Sequence, residues 1–243
     1  MITVLVLSPA YLLRRINPFI PLRYIPLIFL SALFKSGATY LYFTAVQLTT
    51  LCYSLFAYYS GPVLIVFFAS LLLHERTEKK TIVSLIIAVG GVGLMAFSYS
   101  EYTTLTAGLQ GILYALGGAV CFALTIVSIK SIRNVRGQDV LFYQMVFLLP
   151  LLLIFSGFPE KVEGQSAASI LILALVHTCL AYAVYYEALS RVKAQHVGVL
   201  HYLDPVVASI LGYLVFKEAI SPGGFVGGAL VVLDGLLVVG GHQ

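Results

Sequence analysis

Charged residues are scarce in this chain, because Asp, Glu, Lys and Arg make up only 10% of its 243 residues. Soluble domains average roughly 25%. Hydrophobic residues make up 60%, and the few charges fall in short clusters between long apolar stretches. A soluble protein needs charged and polar residues on its surface. This composition therefore excludes a soluble domain large enough to fold alone and indicates a protein embedded in a lipid bilayer.

Cysteine pairs and the usual catalytic motifs are also lacking. Cys52, Cys121 and Cys179 lie in three different apolar stretches, and His196 and His201 are five residues apart, on different faces of a helix. Neither set suggests a disulfide framework or a metal site. The chain has no HExxH, no GxSxG and no basic tail, the patterns of zinc proteases, serine hydrolases and nucleic-acid-binding arms. We therefore expect no enzyme, no cofactor, no metal and no nucleic-acid partner.

Long apolar segments are what the chain has in abundance. Nine of them can be read, at residues 1–13, 25–46, 51–73, 81–98, 108–130, 139–157, 167–189, 194–216 and 224–241. Several reach about 20 residues, the length that a helix needs to cross a bilayer core. The predicted fold is therefore all-α, a polytopic membrane helix bundle.

Basic residues are distributed unevenly over the loops between these segments. Eleven lie in alternate loops, whereas the other loops carry only Lys161 and Lys217. Basic residues concentrate on the cytoplasmic side of membrane proteins, so the eleven-charge side is expected to be cytoplasmic in a multi-pass protein of the plasma or inner membrane. The eleven residues are Arg14, Arg15, Arg23, Arg76, Lys79, Lys80, Lys130, Arg133, Arg136, Arg191 and Lys193.

One pair of residues recurs along the chain, since Pro62 and Glu75 return as Pro205 and Glu218, 143 residues later. The stretch SGPVLIVFFASLLLHE aligns without a gap on LDPVVASILGYLVFKE. Most aligned letters are apolar on apolar, but a proline and a glutamate repeating at one offset are hard to obtain by chance. The chain is therefore predicted to contain two copies of one membrane unit, a common plan of secondary transporters.

The two copies differ in length. Residues 1–100 form a first repeat of about four helices, and residues 101–243 form a second repeat of five. Because five is odd, two complete repeats would lie in opposite orientations across the membrane. Segment 108–130 has no counterpart in the first repeat, so we expect that repeat to be truncated by about 35 residues at its N-terminus. The alternative is a genuine nine-helix protein.

The chain resembles the drug/metabolite transporter superfamily, of the EamA type, over nearly its whole length. The second repeat carries the resemblance in YYEALSRVKAQHVGVLHYLDPVVASILGYLVFKE, followed by a Gly-rich last helix. The first keeps the pattern in YFTAVQLTTLCYSLFAYYSGPVLIVFFASLLLHE, and GILYALGGAVCFALTIVSIKSIR resembles the helix that opens a repeat. The resemblance implies a ten-helix transporter that exports a small metabolite. This chain departs from it by lacking the opening helix of the first repeat.

Three ionisable residues are predicted near the membrane midplane. Lys35, His177 and Asp204 each lie about ten residues into a different apolar segment, or roughly 15 Å deep at 1.5 Å per residue. A charge there is costly and normally faces a cavity or a partner. We therefore expect these residues to bind a polar solute, with the repeat-equivalent Tyr42 and Tyr185 beside them. The alternatives are a structural Lys35–Asp204 salt bridge and tyrosines that only pack.

Pro62 and Pro205 are predicted to interrupt their helices, because proline removes a backbone hydrogen bond and favours a kink. The carbonyl groups freed in this way can line a cavity. Asp204, directly before Pro205, would place a carboxylate at such a break. We interpret both prolines as candidate gating positions; the alternative is that the kinks only shape packing.

Other acidic residues and glycines are interpreted as structural. Glu75 and Glu218 end their helices at the membrane faces, and Glu187 is expected to pair with Arg191 one turn later. Gly-xxx-Gly pairs at 223/227 and 224/228 predict a close helix contact. Asp234, in the same helix, is equally compatible with packing and with a role in binding.

These observations predict a secondary transporter. A small polar metabolite would cross by alternating access around a midplane cavity lined by Lys35, His177, Tyr185 and Asp204. Proton exchange is compatible with the titratable His177 and Asp204. The alternatives are a non-transporting membrane subunit or receptor and an intramembrane enzyme. A homodimer remains open.

Overall fold

The computed structural model of the protein describes residues 20–49, 51–99, 109–156, 169, 171–216 and 222–240. Every regular element within these ranges is helical, which confirms the all-α prediction. Helices occupy eight of the nine predicted segments; the ninth, 1–13, lies outside the described residues. Five helical spans are long and apolar enough to cross a membrane: Leu22–Leu48, Tyr53–Leu72, Leu109–Lys130, Gly137–Ile154 and Ala194–Val215.

The described helices are numbered in chain order. After a single 3-10 turn at Leu22–Tyr24, the first half contains α1 (Ile25–Leu48), α2 (Leu51–Tyr58), α3 (Gly61–Leu72) and α4 (Lys79–Tyr99). The second half contains α5 (Leu109–Lys130), α6 (Gly137–Ser156), α7 (Tyr182–Arg191), α8 (Ala194–Leu200), α9 (Leu203–Leu211) and α10 (Pro222–Gly240). A π-helical segment, Leu173–Ala181, leads into α7, and another, Gly212–Phe216, continues α9.

Helix boundaries follow the offset of 143 residues that the sequence predicts. α2 ends at Tyr58 and α8 at Leu200, and α3 begins at Gly61 and α9 at Leu203, so both pairs agree with the offset to within one residue. A common offset for helix ends as well as for letters supports two copies of one unit. The opposite orientation of the repeats stays a prediction.

Packing divides the chain into two compact units that do not coincide with the repeats. The first unit comprises the chain up to Tyr40 together with Leu124–Lys193, and the second comprises Leu41–Ala123 together with the chain from Ala194 onward. Each unit therefore contains residues from both halves of the sequence, and the division into two repeats near residue 100 stays a prediction.

The first unit is held together by a buried chain of hydrogen bonds. The Tyr186 hydroxyl donates to the Gln144 side-chain oxygen. Gln144 Nε2 donates to Ser31 Oγ at 2.9 Å, and Ser31 Oγ donates to the Ile28 carbonyl at 2.8 Å. These polar side chains are at most 2% exposed. Because a buried polar group without a partner is costly, this network fixes the register of α1, α6 and α7.

Two basic residues, Lys130 and Arg191, make polar contacts at the C-terminal end of α7 in the first unit. Lys130 Nζ donates to the Leu189 carbonyl at 2.9 Å and to the Val192 carbonyl at the end of α7, where carbonyl groups lack helical partners and favour a cation. Arg191 binds the Glu187 carboxylate at 2.6 Å, which confirms the predicted ion pair.

The second unit has an apolar core built from α3, α4, α8, α9 and α10. Its buried members are Val66, Leu85, Ala88, Val92, Val199, Tyr202, Val206 and Val231. α4 and α10, which are repeat counterparts, pack along each other. A Cβ on Gly91 would lie 2.8 Å from both the Gly227 carbonyl oxygen and a Val231 methyl. The predicted glycine contact of the last helix is therefore made within this unit.

Glu75 connects the loop after α3 to the start of α8. Its carboxylate accepts the backbone N–H groups of Ala194 at 3.3 Å and of Gln195 at 3.4 Å. The Gln195 side chain donates back to the Glu75 carbonyl at 3.1 Å. A carboxylate at a helix N-terminus satisfies backbone donors that have no helical partner and complements the helix dipole. Glu75 therefore has a structural role, as expected from the sequence.

Candidate functional site

The residues predicted to bind solute divide between the two units. Lys35, His177 and Tyr185 belong to the first unit, and Tyr42 and Asp204 belong to the second. Each group has its own surroundings within its unit.

Lys35 faces an aromatic surface in the first unit. Its ammonium nitrogen lies 4.1 Å from the centroid of the Tyr182 ring, and the side chain is half-buried about ten residues into α1. Tyr182 also packs edge-on against Tyr185 and Tyr186, at centroid distances of 6.3 and 6.2 Å. A cation over an aromatic face gains roughly 0.5–2 kcal/mol. The ring therefore lowers the cost of a lysine at this depth.

His177 lies in the π-helical segment Leu173–Ala181. Its side chain is outside what the structure describes, as is that of Asp234 in α10. π-Helical turns are rare and occur often at functional sites, because they widen the helix and change the direction of its side chains. The backbone at His177 is therefore of the kind that functional sites use.

Two helix interruptions define the site in the second unit. α2 ends at Tyr58 and α3 begins at Gly61; α8 ends at Leu200 and α9 begins at Leu203. Each proline follows its interruption: Pro62 stands in the first turn of α3 and Pro205 in the first turn of α9. Proline is well tolerated in a first turn because its missing N–H has no partner there. The interruptions therefore lie just before the prolines.

The two interruptions contact each other through repeat-equivalent tyrosines. The Tyr202 hydroxyl donates to the Tyr59 backbone carbonyl at 3.0 Å across 143 residues of sequence, and the two rings lie 6.4 Å apart. The bond gives the Tyr59 carbonyl a side-chain partner at a place where the regular helix ends. Irregular backbone at membrane depth is stable only with such partners.

Asp204 stands in the first turn of α9, and its side chain is exposed. Its backbone N–H donates to the His201 carbonyl at 3.2 Å. The carboxylate is within electrostatic range of the Tyr59 hydroxyl and of the His201 ring, and Tyr42 is also within range of Tyr59. Both predicted residues of this unit are therefore within electrostatic range of the same tyrosine, Tyr59.

A row of aromatic rings runs beside this carboxylate. Tyr42 packs on Tyr58 at 4.9 Å, Tyr58 on Phe122 at 5.7 Å, and Phe122 on His201 at 5.1 Å between ring centroids. His201 Nδ1 lies 2.7 Å from the Val197 carbonyl oxygen, which can only accept, so Nδ1 carries the proton.

Sequence reasoning missed His201 as a site residue, because it was weighed only as a metal partner of His196. The available signal was the position of His201 in the sequence. It stands three residues before Asp204, and Asp204 directly precedes the mid-span Pro205. Tyr58 and Phe122 carried no such signal, since aromatic residues are common throughout the chain.

A cavity of about 420 Å³ opens at the two interruptions within the second unit. Its wall is aliphatic and aromatic, and the side-chain polar groups of its lining residues are the hydroxyls of two tyrosines and one serine. The lining residues are Phe56, Tyr59, Ser60, Val63, Leu64, Val89, Val92, Leu116, Val120 and Tyr202. Pockets of roughly 300–1,000 Å³ hold small organic ligands, so this cavity is large enough for one.

Several of the proteins that this chain resembles are named as transporters or exporters. The chain is 28% identical over 219 residues to "Uncharacterized transporter YwfM" of Bacillus subtilis, covering 88% of this chain and 73% of that protein. It is 26% identical to "Uncharacterized transporter" of Archaeoglobus fulgidus, covering 81% and 70%. "Probable terminal-alkyne amino-acid exporter" of Streptantibioticus cattleyicolor is 27% identical, with 73% and 60% covered.

The fold has a solved counterpart, and a family model covers most of the chain. One crystal structure of a protein matches with a TM-score of 0.82 at 21% identity, over 98% of this chain and 85% of the other. At that identity the likeness concerns the fold alone. The model of the EamA-like transporter family matches residues 1–97 and 109–240. Together with the apolar membrane-length helices, these matches show that the chain is a multi-pass membrane protein of the EamA-like transporter family.

Proposed function

We propose that the protein is a secondary transporter that exports a small polar metabolite by alternating access. The observation that carries this proposal is the pair of repeat-equivalent helix interruptions, which meet at Tyr59 and Tyr202 beside a cavity and the Asp204 carboxylate. Transporters commonly bind their substrates at interrupted helices near the midplane, where partner-less backbone and side chains form the site.

The helix interruptions are the hinges at which the helices bend. A helix can bend before Pro62 or Pro205 with limited loss of hydrogen bonding, because the prolines have no N–H to donate. At the breaks, Ser60 and Tyr202 donate to the carbonyls three residues earlier, at 3.1 Å each, as in a 3-10 helix. Hinge motions are absorbed by a few residues at the ends of elements. Bending at Tyr59–Ser60 and at His201–Tyr202 would open the cavity to one side of the membrane or to the other.

The predicted residues offer different chemical groups to a bound solute. Lys35, held over Tyr182, offers a positive charge, and Asp204 offers a negative one. Tyr42 and Tyr185 offer hydroxyl groups and aromatic faces. His177 and Asp204 are titratable, so we propose that they exchange protons during transport.

The orientation of the protein and the membrane that contains it are inferred from the distribution of basic residues over its loops. We infer that the loops with the eleven basic residues face the cytoplasm, in the plasma or inner membrane. The contact of Glu75 with Ala194 supports this inference, because it places the loop that carries Arg76 and the start of α8 at the same end of the second unit.

Transport in liposomes tests the proposal. A terminal-alkyne amino acid such as propargylglycine, suggested by the name of one relative, is a first probe beside other radiolabelled amino acids and amines. Purified protein should show counterflow of at least one probe. Lys35→Met and His177→Phe should reduce transport per folded molecule at least tenfold, since each removes an ionisable group with little change in volume. Lys79→Met, an exposed lysine at the start of α4, is the matched control and should retain transport.

Coupling is tested by Asp204→Asn, which keeps the shape of the side chain but cannot hold a negative charge. A proton-coupled mechanism predicts that its transport no longer responds to a pH gradient while counterflow survives. Unchanged gradient dependence would remove Asp204 as a proton carrier. Absence of counterflow for every probe, with folded protein in the bilayer, would favour a subunit or receptor over a transporter.

A further inference from the structure

We propose that Lys35, held over the ring of Tyr182, binds the carboxylate group of a small organic anion. The inference rests on the proposed function, because it names the chemical class of the transported solute. Three features of the first unit carry it: the surroundings of the Lys35 ammonium, the partners of the carboxylates in that unit, and the hydrogen-bonded tyrosine cluster that holds the ring in place.

The Lys35 ammonium has an aromatic partner and no polar one among the described residues. Its nitrogen lies 4.1 Å from the centroid of the Tyr182 ring, and no hydrogen bond or ion pair joins it to the part of the chain that the structure describes. An ammonium group has three N–H donors, and the ring covers only one side of it. The side chain is half-buried about ten residues into α1, where a charge normally faces a partner. The remaining donors are therefore available to a ligand.

The carboxylates of the first unit are already bound to arginines. Within the described residues of this unit, acidic side chains occur only as Asp139 and Glu187. Asp139 accepts two hydrogen bonds from Arg136, at 2.8 and 2.9 Å. Glu187 binds Arg191 at 2.6 Å. Lys35 therefore has no counter-ion in the described part of its unit, and an anionic ligand would supply one.

A chain of buried hydrogen bonds fixes the ring that faces the ammonium. The Tyr186 hydroxyl donates to Gln144, and Gln144 Nε2 donates to Ser31 Oγ at 2.9 Å. The ring of Tyr186 packs on that of Tyr182 at 6.2 Å between centroids. On α1, Lys35 stands one turn after Ser31; on α7, Tyr182 stands one turn before Tyr186. The network therefore sets the register that places the ammonium over the ring, and the arrangement is built into the core of the unit.

One isolated positive charge favours a ligand with one negative charge. The other lysines and arginines in the described part of the first unit lie at helix ends or in loops: Arg23, Lys130, Arg133, Arg136, Arg191 and Lys193. Carboxylates form strong, charge-assisted hydrogen bonds with ammonium groups. Tyr182 is itself only half-buried, so its ring offers apolar surface to the body of the ligand. A cation would be repelled by Lys35, and a neutral compound would gain nothing from its charge.

Two probes of the same shape and different charge test the inference. Radiolabelled phenylacetate and phenylacetamide differ only in that a neutral amide replaces the carboxylate, which is ionised at pH 7. Binding is measured on the full chain in nanodiscs. Wild-type protein should bind phenylacetate at least tenfold more tightly than phenylacetamide. Lys35→Met should weaken phenylacetate binding at least tenfold and leave phenylacetamide binding within twofold. Lys79→Met, at an exposed position, should leave both affinities unchanged.

A second set of variants tests the ring. Tyr182→Leu removes the face that holds the ammonium and should weaken phenylacetate binding at least fivefold. Tyr182→Phe keeps the ring and should bind phenylacetate within twofold of wild type. Tyr24→Leu is the matched control, because it removes a ring from another cation–ring contact of this unit, that of Arg23 over Tyr24 at 4.8 Å. It should leave both affinities unchanged. Size-exclusion profiles establish that each variant is folded.

The outcomes separate the ligand class from the transport function. Equal affinity of wild-type protein for the two probes would overturn the inference, even if Lys35→Met failed to fold. Unchanged phenylacetate binding in folded Lys35→Met or Tyr182→Leu would overturn it as well. Counterflow of other probes without phenylacetate binding would leave a transporter with a different ligand class. Phenylacetate binding as expected, without counterflow of any probe, would uphold the site and remove the proposed function.

Discussion

Gly61 is the first residue of α3, directly after the interruption that follows α2, and Asp204, 143 residues later, is the second residue of α9, after the interruption that follows α8. The backbone is interrupted in the same way at both places, and a proline follows each residue directly. Gly61 is buried, and a Cβ there would lie 3.0 Å from Phe122 Cδ1 and 3.6 Å from the Ala119 carbonyl oxygen. Asp204 is exposed and carries a carboxylate.

This difference shows how one scaffold serves two purposes. At Gly61 the missing side chain lets α5 approach α3 closely. At Asp204 the corresponding position carries an exposed carboxyl group within electrostatic range of Tyr59, which lines the cavity. The interruption therefore belongs to the repeated scaffold, whereas the chemistry belongs to one copy only.

Exchanging the two residues is the strongest way to test this comparison. Gly61→Asp should destabilise the protein by at least about 3 kcal/mol, because it forces a larger side chain and a charge into close packing. Gly61→Ala should cost about 1–2 kcal/mol, since the Phe122 ring must shift. The free energy of unfolding can be measured by SDS titration with far-UV circular dichroism.

The reciprocal change provides the control. Asp204→Gly, at an exposed position, should cost less than about 0.5 kcal/mol, because aspartate and glycine differ little in helix propensity. The two positions would prove alike, and the comparison wrong, if Gly61→Asp cost no more than Asp204→Gly.

Glu75 offers a second way to sharpen the comparison of the repeats. Glu75→Ala removes the acceptor of two N–H groups at the start of α8 and should cost about 1–2 kcal/mol. Glu75→Gln keeps an acceptor but loses the charge at the helix N-terminus, and should cost about half as much. Thermal unfolding in detergent measures both.

A matched control lies three residues away, where Glu78 forms an ion pair with Lys80 at the surface. Glu78→Gln should change stability by less than about 0.5 kcal/mol. A cost for Glu75→Ala as small as this would show that the cap at α8 is not stabilising. Glu218, the repeat counterpart of Glu75, lies outside the described residues. The repeat predicts that Glu218→Ala should cost as much as Glu75→Ala.

The smallest expected effect distinguishes the two tyrosines at the interruptions. Tyr202→Phe loses the hydrogen bond to the Tyr59 carbonyl and should cost about 1 kcal/mol. Tyr59→Phe removes a hydroxyl near Asp204 instead, and should alter ligand binding more than stability. Unfolding and binding are measured for both variants to separate an effect on stability from an effect on ligand binding. Equal losses of stability in the two variants would contradict the assigned roles.

Much of the fold was predictable because it depends on local properties of the chain. Apolar stretches of membrane length predict helices, since a backbone in lipid must satisfy its own hydrogen bonds. The offset that relates Pro62 to Pro205 appears again in the helix boundaries. The Glu187–Arg191 pair was also predictable, because residues four apart on a helix are neighbours.

The sequence by itself determined the class of the protein, its long apolar helices and the prolines that follow the interruptions, and it predicts two repeats. The tertiary structure decided which of the marked residues meet and what surrounds them. The contact of Tyr202 with Tyr59, the ring of Tyr182 under Lys35 and the place of His201 in the aromatic row join residues far apart in sequence. Such contacts depend on how helix faces pack and rotate against one another, and an almost uniformly apolar helix leaves its rotation unmarked in the sequence.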